Sequence, residues 1–166
     1  MKRLTLSLLI LVAAVVAAVF ATAAGAAPPD HFQFQFTNTG TLTGACPFDI
    51  TVDSTVSGTG QDFYDQNGIL LREHDNIVEQ DTFSANGKSL TGVPFTFNLE
   101  FIVDSDGNAT HVYATGVAER VQLPDGSWFV SAGRLDFAAH GFPDFIITPD
   151  HGGAVNLAGF CAALAP

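Results

Sequence analysis

The chain has 166 residues, with six Lys or Arg against seventeen Asp or Glu, for a formal charge of −11 and a sequence pI near 4.4. That charge excludes nucleic acid and anionic membrane surfaces as partners, because both would be repelled. The length suits one domain burying roughly two-thirds of its unfolded surface, so a core is available without help.

Lys2 and Arg3, the apolar stretch Leu4 to Phe20 and the small-residue stretch "ATAAGAA" have the three-part form of a secretory signal peptide over residues 1–26, with Ala24 and Ala26 as its A-x-A pair. An uncleaved membrane anchor is the alternative, weakened by Thr5, Ser7 and the alanine-rich tail. Neither a lipidation cysteine nor a twin arginine flanks the run. Cleavage removes two of the six basic residues and none of the seventeen acidic ones, moving the formal charge to −13. The expectation is a secreted protein with no membrane association after cleavage, residues 27–166 forming one acidic domain. In an oxidising compartment the only two cysteines, Cys46 and Cys161, pair in the one way open to them. A loop that long stabilises by roughly 4 to 5 kcal/mol in the chain-entropy model.

Along residues 27–166 the period is two. Phe32, Phe34 and Phe36 alternate with Gln33 and Gln35; Phe48, Ile50 and Val52 with Asp49, Thr51 and Asp53; Phe95, Phe97, Leu99, Phe101 and Val103 with Thr96, Asn98 and Glu100. Each predicts a strand with one apolar and one wet face. Asn67-Gly68, Asn86-Gly87, Asp106-Gly107 and Asp125-Gly126, spaced 19, 20 and 19 residues apart, are tight-hairpin signals. The segments after them are too long for ordinary strands. One holds the polar stretch "EHDN" at residues 73–76, read as a bend, and the others hold Gly92, Gly116 and Gly133, which mark bulges or sharp bends. Bent antiparallel strands predict an all-β up-and-down meander of about eight to ten strands, a small closed or nearly closed β-barrel, with a two-sheet β-sandwich as the alternative. Only "GFCAALAP" at the C-terminus suits a short helical turn.

The segments "ACPFDITV", "DTFSANGKSLTG", "AGRLDF" and "GFCAALA", with the turns "DGN" and "LPDGSW", resemble a group of small exported proteins common in actinobacteria, with one early and one C-terminal cysteine and a G-K-S-type hairpin. The resemblance covers most of residues 27–166 and implies export and the fold. The group carries no assigned activity, so it implies no site residue.

Several apparent motifs fail. "NGKS" at residues 86–89 ends like a phosphate-binding loop, yet Thr82 stands where the first glycine is needed and a strand follows where a helix must begin. "DSDGN" has Ala109 and Thr115 where an EF-hand needs Gly and Glu, leaving Asp104, Asp106 and Asn108 as a minimal Ca²⁺ set against a plain type I turn. No cofactor is expected. "HGFPDFIITPDHGG" gathers His140, Asp144, Asp150 and His151, the catalytic candidates, in a Pro/Gly-rich stretch otherwise read as turns. Arg72 and Arg120, with Tyr64, Tyr113 and Glu79, are ligand-binding candidates: converging inside a barrel they would bind an anion, whereas on its outside they would form cross-strand pairs. For Arg134, alternation with Phe129, Leu135 and Phe137 favours the outside. The function expected is a non-catalytic ligand-binding or surface-interaction module, its partner an apolar small molecule lined by some of the fifteen phenylalanines. The alternatives are a structural domain with a solid core or, behind both, a hydrolase or isomerase using the loop from His140 to His151.

Overall fold

Alternation at period two is what the backbone follows. The computed structural model describes residues 28–141 and 145–166; the segment read as a signal peptide and Asp144 lie outside them. Eight strands succeed one another: β1 (Asp30–Leu42), β2 (Ile50–Tyr64), β3 (Leu70–Ala85), β4 (Lys88–Thr91), β5 (Phe95–Val103), β6 (Ala109–Gln122), β7 (Trp128–Asp136) and β8 (His151–Val155). Two helices complete the described residues, α1 (Phe137–His140) and α2 (Leu157–Leu164).

All strands belong to one antiparallel sheet ordered β1-β2-β3-β5-β6-β7-β8, with β4 beside β3. The up-and-down meander is therefore the architecture, and the two-sheet sandwich is not. Strands β4 and β5 are two halves of one return arm along β3: Thr91 pairs with Thr82 and Phe95 with Glu79, so residues 92–94 span only two residues of β3. That extra residue is the bulge expected at Gly92. A second bulge sits at Gly116, between the pairs Thr115–Arg134 and Val117–Gly133, with φ of 79°. The bend expected at "EHDN" is absent: residues 73–76 pair in unbroken register with β2 on one side and β5 on the other. Ladders on both flanks hold the backbone straight whatever the local polarity. Among the described residues β1 and β8 do not pair, so the sheet is not closed into a barrel by hydrogen bonds.

The turns fall where the x-Gly pairs predicted. Asn86 and Gly87 both have positive φ, 52° and 75°, making the two-residue turn between β3 and β4. At Asp65 and Asp104 a carboxylate oxygen accepts the N–H groups two and four residues on, at 2.8 and 2.9 Å respectively. These bonds favour the ionised form and lower both pKa values. The Asp104 carboxylate thus serves its own turn.

One end of the curled sheet is closed by a core of Leu42, Ile50, Val52, Phe83, Val121, Leu123, Phe129, Ile147, Phe160 and Leu164, all buried. Helix α2 supplies the last two and runs for two turns, where the sequence predicted one. Phe160 packs its ring 5.1 Å from that of Phe83 and 4.6 Å from that of Phe129. The predicted Cys46–Cys161 disulfide joins α2 to the loop before β2, with Cα atoms 5.5 Å apart. The β3–β4 hairpin tip holds the helix C-terminus as well: Asn86 Nδ2 donates to Leu164 O at 2.9 Å and Lys88 Nζ to Ala165 O at 2.5 Å. Those bonds occupy carbonyls that a helix end leaves unpaired. The one-turn helix α1 was not foreseen. Asp136 ends β7 and accepts the N–H of Ala138 at 3.1 Å, the capping bond that starts it.

Candidate functional site: a carboxyl-lined cavity inside the curled sheet

Beside the core, the concave face of the sheet lines a partly open cavity of about 250 Å³ whose wall is mostly apolar and includes Phe95, Phe97, Leu99, Phe137 and Phe145. Residues of β1 at one edge (Phe36, Asn38) and of β7 near the other (Ser131, Leu135) line the same space, so the sheet wraps around it. Residues 145–149 lie over the gap. Ile147 is 5% exposed and its carbonyl accepts the Ser131 hydroxyl. The Phe145 ring reaches β1 at Gly40.

Three carboxyl groups project into this apolar space: Glu79 and Asp81 from β3, Glu119 from β6. Alternation explains why. Ile77, Glu79, Asp81 and Phe83 share the inward face of β3, and cross-strand register sets Asp81 opposite Ser54 and Glu79 opposite Val56. In β6 the inward residues are Val112 and Ala114 before Gly116, then Glu119 and Val121 after it, with Leu123 just beyond the strand. The Gly116 bulge shifts the alternation by one, which is what turns Glu119 inward and Arg120 outward. Asp81 is 1% exposed and Glu119 2% exposed. Ser54 Oγ donates to Asp81 Oδ1 at 2.5 Å, while Asp81 Oδ2 and Glu119 Oε1 are buried beyond any N–H or hydroxyl group, which leaves the neighbouring carboxyl groups as each other's partners. Gly92 makes room for this arrangement, since a Cβ there would lie 2.5 Å from Glu119 Oε1.

Burial pushes the Glu119 carboxyl up to about 10 and Glu79 up to about 8, the charge on Asp81 adding to both. Asp81 is raised by burial too, against the Ser54 hydroxyl and the neighbouring Glu119 and Glu79 carboxyls, which favour its ionised form. Two neutral carboxylic acids around one carboxylate that they hydrogen-bond is the arrangement these directions describe. A second acidic group, Asp62 on β2 with Glu73 and Asp75 on β3, lies farther along the sheet; burial and Asp75 raise Glu73 to about 7, and the Glu73 and Asp75 carboxyls hydrogen-bond each other.

Of the candidates read from the sequence, Glu79 lies in the cavity and the arginines do not join it. Arg72 is on the outer face, 3.4 Å from Glu100 and with its guanidinium 4.3 Å from the Phe63 ring centroid. Arg134 lies 4.0 Å over Tyr113 and Arg120 5.3 Å over Trp128, both on the outer face. Tyr64 donates to Asp62 at 3.1 Å. His140 Nε2 and Asp150 Oδ1 are 2.5 Å apart, and the other Asp150 oxygen accepts the Asp136 N–H at 3.0 Å, which with His140 lowers the Asp150 pKa. His151 opens β8, exposed and opposite Arg134. Asp81, Glu119 and Ser54 were missed. Their signal was parity: each sits two residues from a core residue on an inward row (Phe83, Val121, Val52), where a polar side chain is out of place. Among the described residues no three His, Cys, Asp or Glu side chains are grouped as metal ligands, and no helix is long and apolar enough to cross a membrane. Comparison with known proteins finds no matching family model, curated protein or solved structure.

Proposed function

We propose that this protein is an exported binding module that holds a small, largely apolar molecule inside a nearly closed β-barrel. The cavity carries this reading: a domain built only for stability would fill such a space with side chains, since a void costs the contacts its lining loses. Its 250 Å³ exceeds the ~150 Å³ that accommodates benzene and falls below the ~300–1,000 Å³ of drug-sized pockets, so the occupant has one ring or a short chain. The disulfide and the signal-like first 26 residues support export. A panel of single-ring compounds, neutral, cationic and anionic, titrated against methyl-labelled protein tests binding. Saturable shifts of Val56, Ile77 and Ile147 are expected, abolished in Ala114→Phe, which fills the cavity from its wall. No interior shift with any member of the panel would overturn the reading. The exported protein is expected to begin at or within a few residues of Ala27 by mass spectrometry.

A further inference from the structure

We propose that the outer face of the sheet carries a second site, separate from the cavity, which binds an uncharged oligosaccharide laid across β1, β2, β3 and β5. A shallow groove of about 840 Å³ crosses these strands. Register builds it in two rows: Gln33, Thr59, Asn76 and Asn98 are successive cross-strand partners, and so are Gln35, Ser57, Val78 and Thr96. At a strand spacing of about 4.8 Å each row runs for roughly 14 Å, the reach of a short sugar chain.

The composition of the rows sets the ligand class. Among the described residues no Asp, Glu, Lys or Arg lines the groove, although the chain has seventeen acidic residues. Without a carboxylate the groove has nothing to hold a cation, and the net negative charge of the molecule repels a polyanion. Of the side chains in the two rows only Val78 is apolar, so the Trp, Tyr and Arg anchors that carry protein interfaces are missing. A neutral ligand dense in hydroxyl groups remains. Each Asn or Gln amide offers two N–H donors and a carbonyl acceptor, which suits hydroxyls that donate and accept in turn. Val78, 45% exposed in the middle of the groove, meets the C–H face of a sugar ring.

Hydrogen bonding separates this groove from the rest of the same face. Toward the disulfide end, polar side chains satisfy one another or the backbone: Thr39 donates to Asp53 at 2.7 Å, the Thr82 and Thr91 hydroxyls lie 3.2 Å apart, Ser84 donates to Ser89 at 3.4 Å and Gln80 to Gly92 O at 3.0 Å. In the two groove rows no side chain hydrogen-bonds another group among the described residues, although polar partners stand opposite one another in register. Cross-strand pairing is the structural use of such residues. Where it is absent, four amides and three hydroxyls keep their donors and acceptors free for a ligand.

The test follows the side-chain amide N–H signals of isotope-labelled exported protein by NMR, with cellohexaose, xylohexaose, mannohexaose and maltohexaose as neutral probes and hexagalacturonate as the anionic one. At least one neutral hexasaccharide is expected to shift the Gln33, Gln35, Asn76 and Asn98 amides saturably, with a Kd on the order of 1 mM, because each new bond replaces one to water. Affinity is expected to stay within about twofold between about 0.05 and about 0.5 M NaCl, since screening does not act on an uncharged ligand. Asn76→Ala and Asn98→Ala are each expected to weaken binding about threefold to tenfold, the range of one hydrogen bond, whereas Ser84→Ala, outside the groove, should leave it within about twofold. Urea denaturation establishes that the variants fold. No amide shift with any neutral hexasaccharide, shifts with hexagalacturonate alone, or an affinity unchanged in both Asn variants would overturn the oligosaccharide proposal. Shifts of the interior methyl groups of Val56 and Ile147 without the amides would overturn it too, by moving the sugar into the cavity. Single-ring compounds report the cavity separately, so failure at one site leaves the other standing.

Discussion

At the scale of single residues the molecule is defined by where its carboxyl groups sit. Glu79 and Glu119 have native pKa values of about 8 and about 10, above the ordinary ~4.3 for Glu. Between those limits the native state binds more protons than the unfolded chain, so stability falls as pH rises. The contribution of these two groups is complete below about pH 4 and is lost as pH passes through about 8 and then about 10, at no more than about 1.4 kcal/mol per pH unit for each. Asp65 and Asp104 act oppositely: their lowered pKa values give stability that disappears in acid. Urea denaturation across this range should therefore show a mildly acidic optimum. Glu119→Gln should flatten the alkaline limb and raise the midpoint at about pH 8; a limb unchanged in Glu119→Gln would show that Glu119 ionises freely. The Gly92 contact makes a second prediction. Gly92→Ala places a methyl 2.5 Å from Glu119 Oε1 and should cost about 1–3 kcal/mol, as overpacking does. Adding Glu119→Ala should recover part of that loss in a double-mutant cycle, and strict additivity would remove the contact as the cause.

At the scale of elements, strand β6 shows how one backbone irregularity decides which side chains face the cavity. Its inward row passes from Val112 and Ala114 to Glu119 and Val121 only because Gly116 adds a residue at φ 79°. A β-branched residue resists that conformation, so Gly116→Val should destabilise by at least about 1–2 kcal/mol, read as a lower denaturation midpoint with an unchanged slope. A neutral result would mean that the bulge re-forms without positive φ. Gly92 and Gly116 were legible as bulges because a glycine within a strand has few other uses. "EHDN" misled because its polar residues were read one by one. Asp75 and Glu73 face inward with Ile77, His74 and Asn76 face outward, and two flanking ladders keep the strand extended. Helix α1 was invisible because its four residues continue the alternation of β7 as far as Phe137, and only the capping bond from Asp136 breaks the strand.

At the scale of the whole molecule, the disulfide, α2 and the β3–β4 hairpin tip close one end, and the cavity lies above them. Reducing Cys46–Cys161 should lower the unfolding free energy by up to about 4 kcal/mol without loss of the β circular dichroism signal, because the remaining core still buries enough to fold. Phe160 and Leu164 are 0% exposed, so release of α2 should uncover apolar surface and open the first protease cleavages after Leu157. Unchanged stability together with lost ligand binding would make the bond a switch instead. The strands, their turns, two bulges and the cysteine pairing followed from the chain itself, since alternation, x-Gly pairs and a lone pair of thiols act locally or admit one solution. The cavity did not. Whether phenylalanines fill a space or line it depends on how far the sheet curls and on where residues 145–149 lie across its gap. Which carboxyl groups meet depends on register between strands distant in sequence, and on a bulge that turns Glu119 toward Asp81 and sends Arg120 to the outer face.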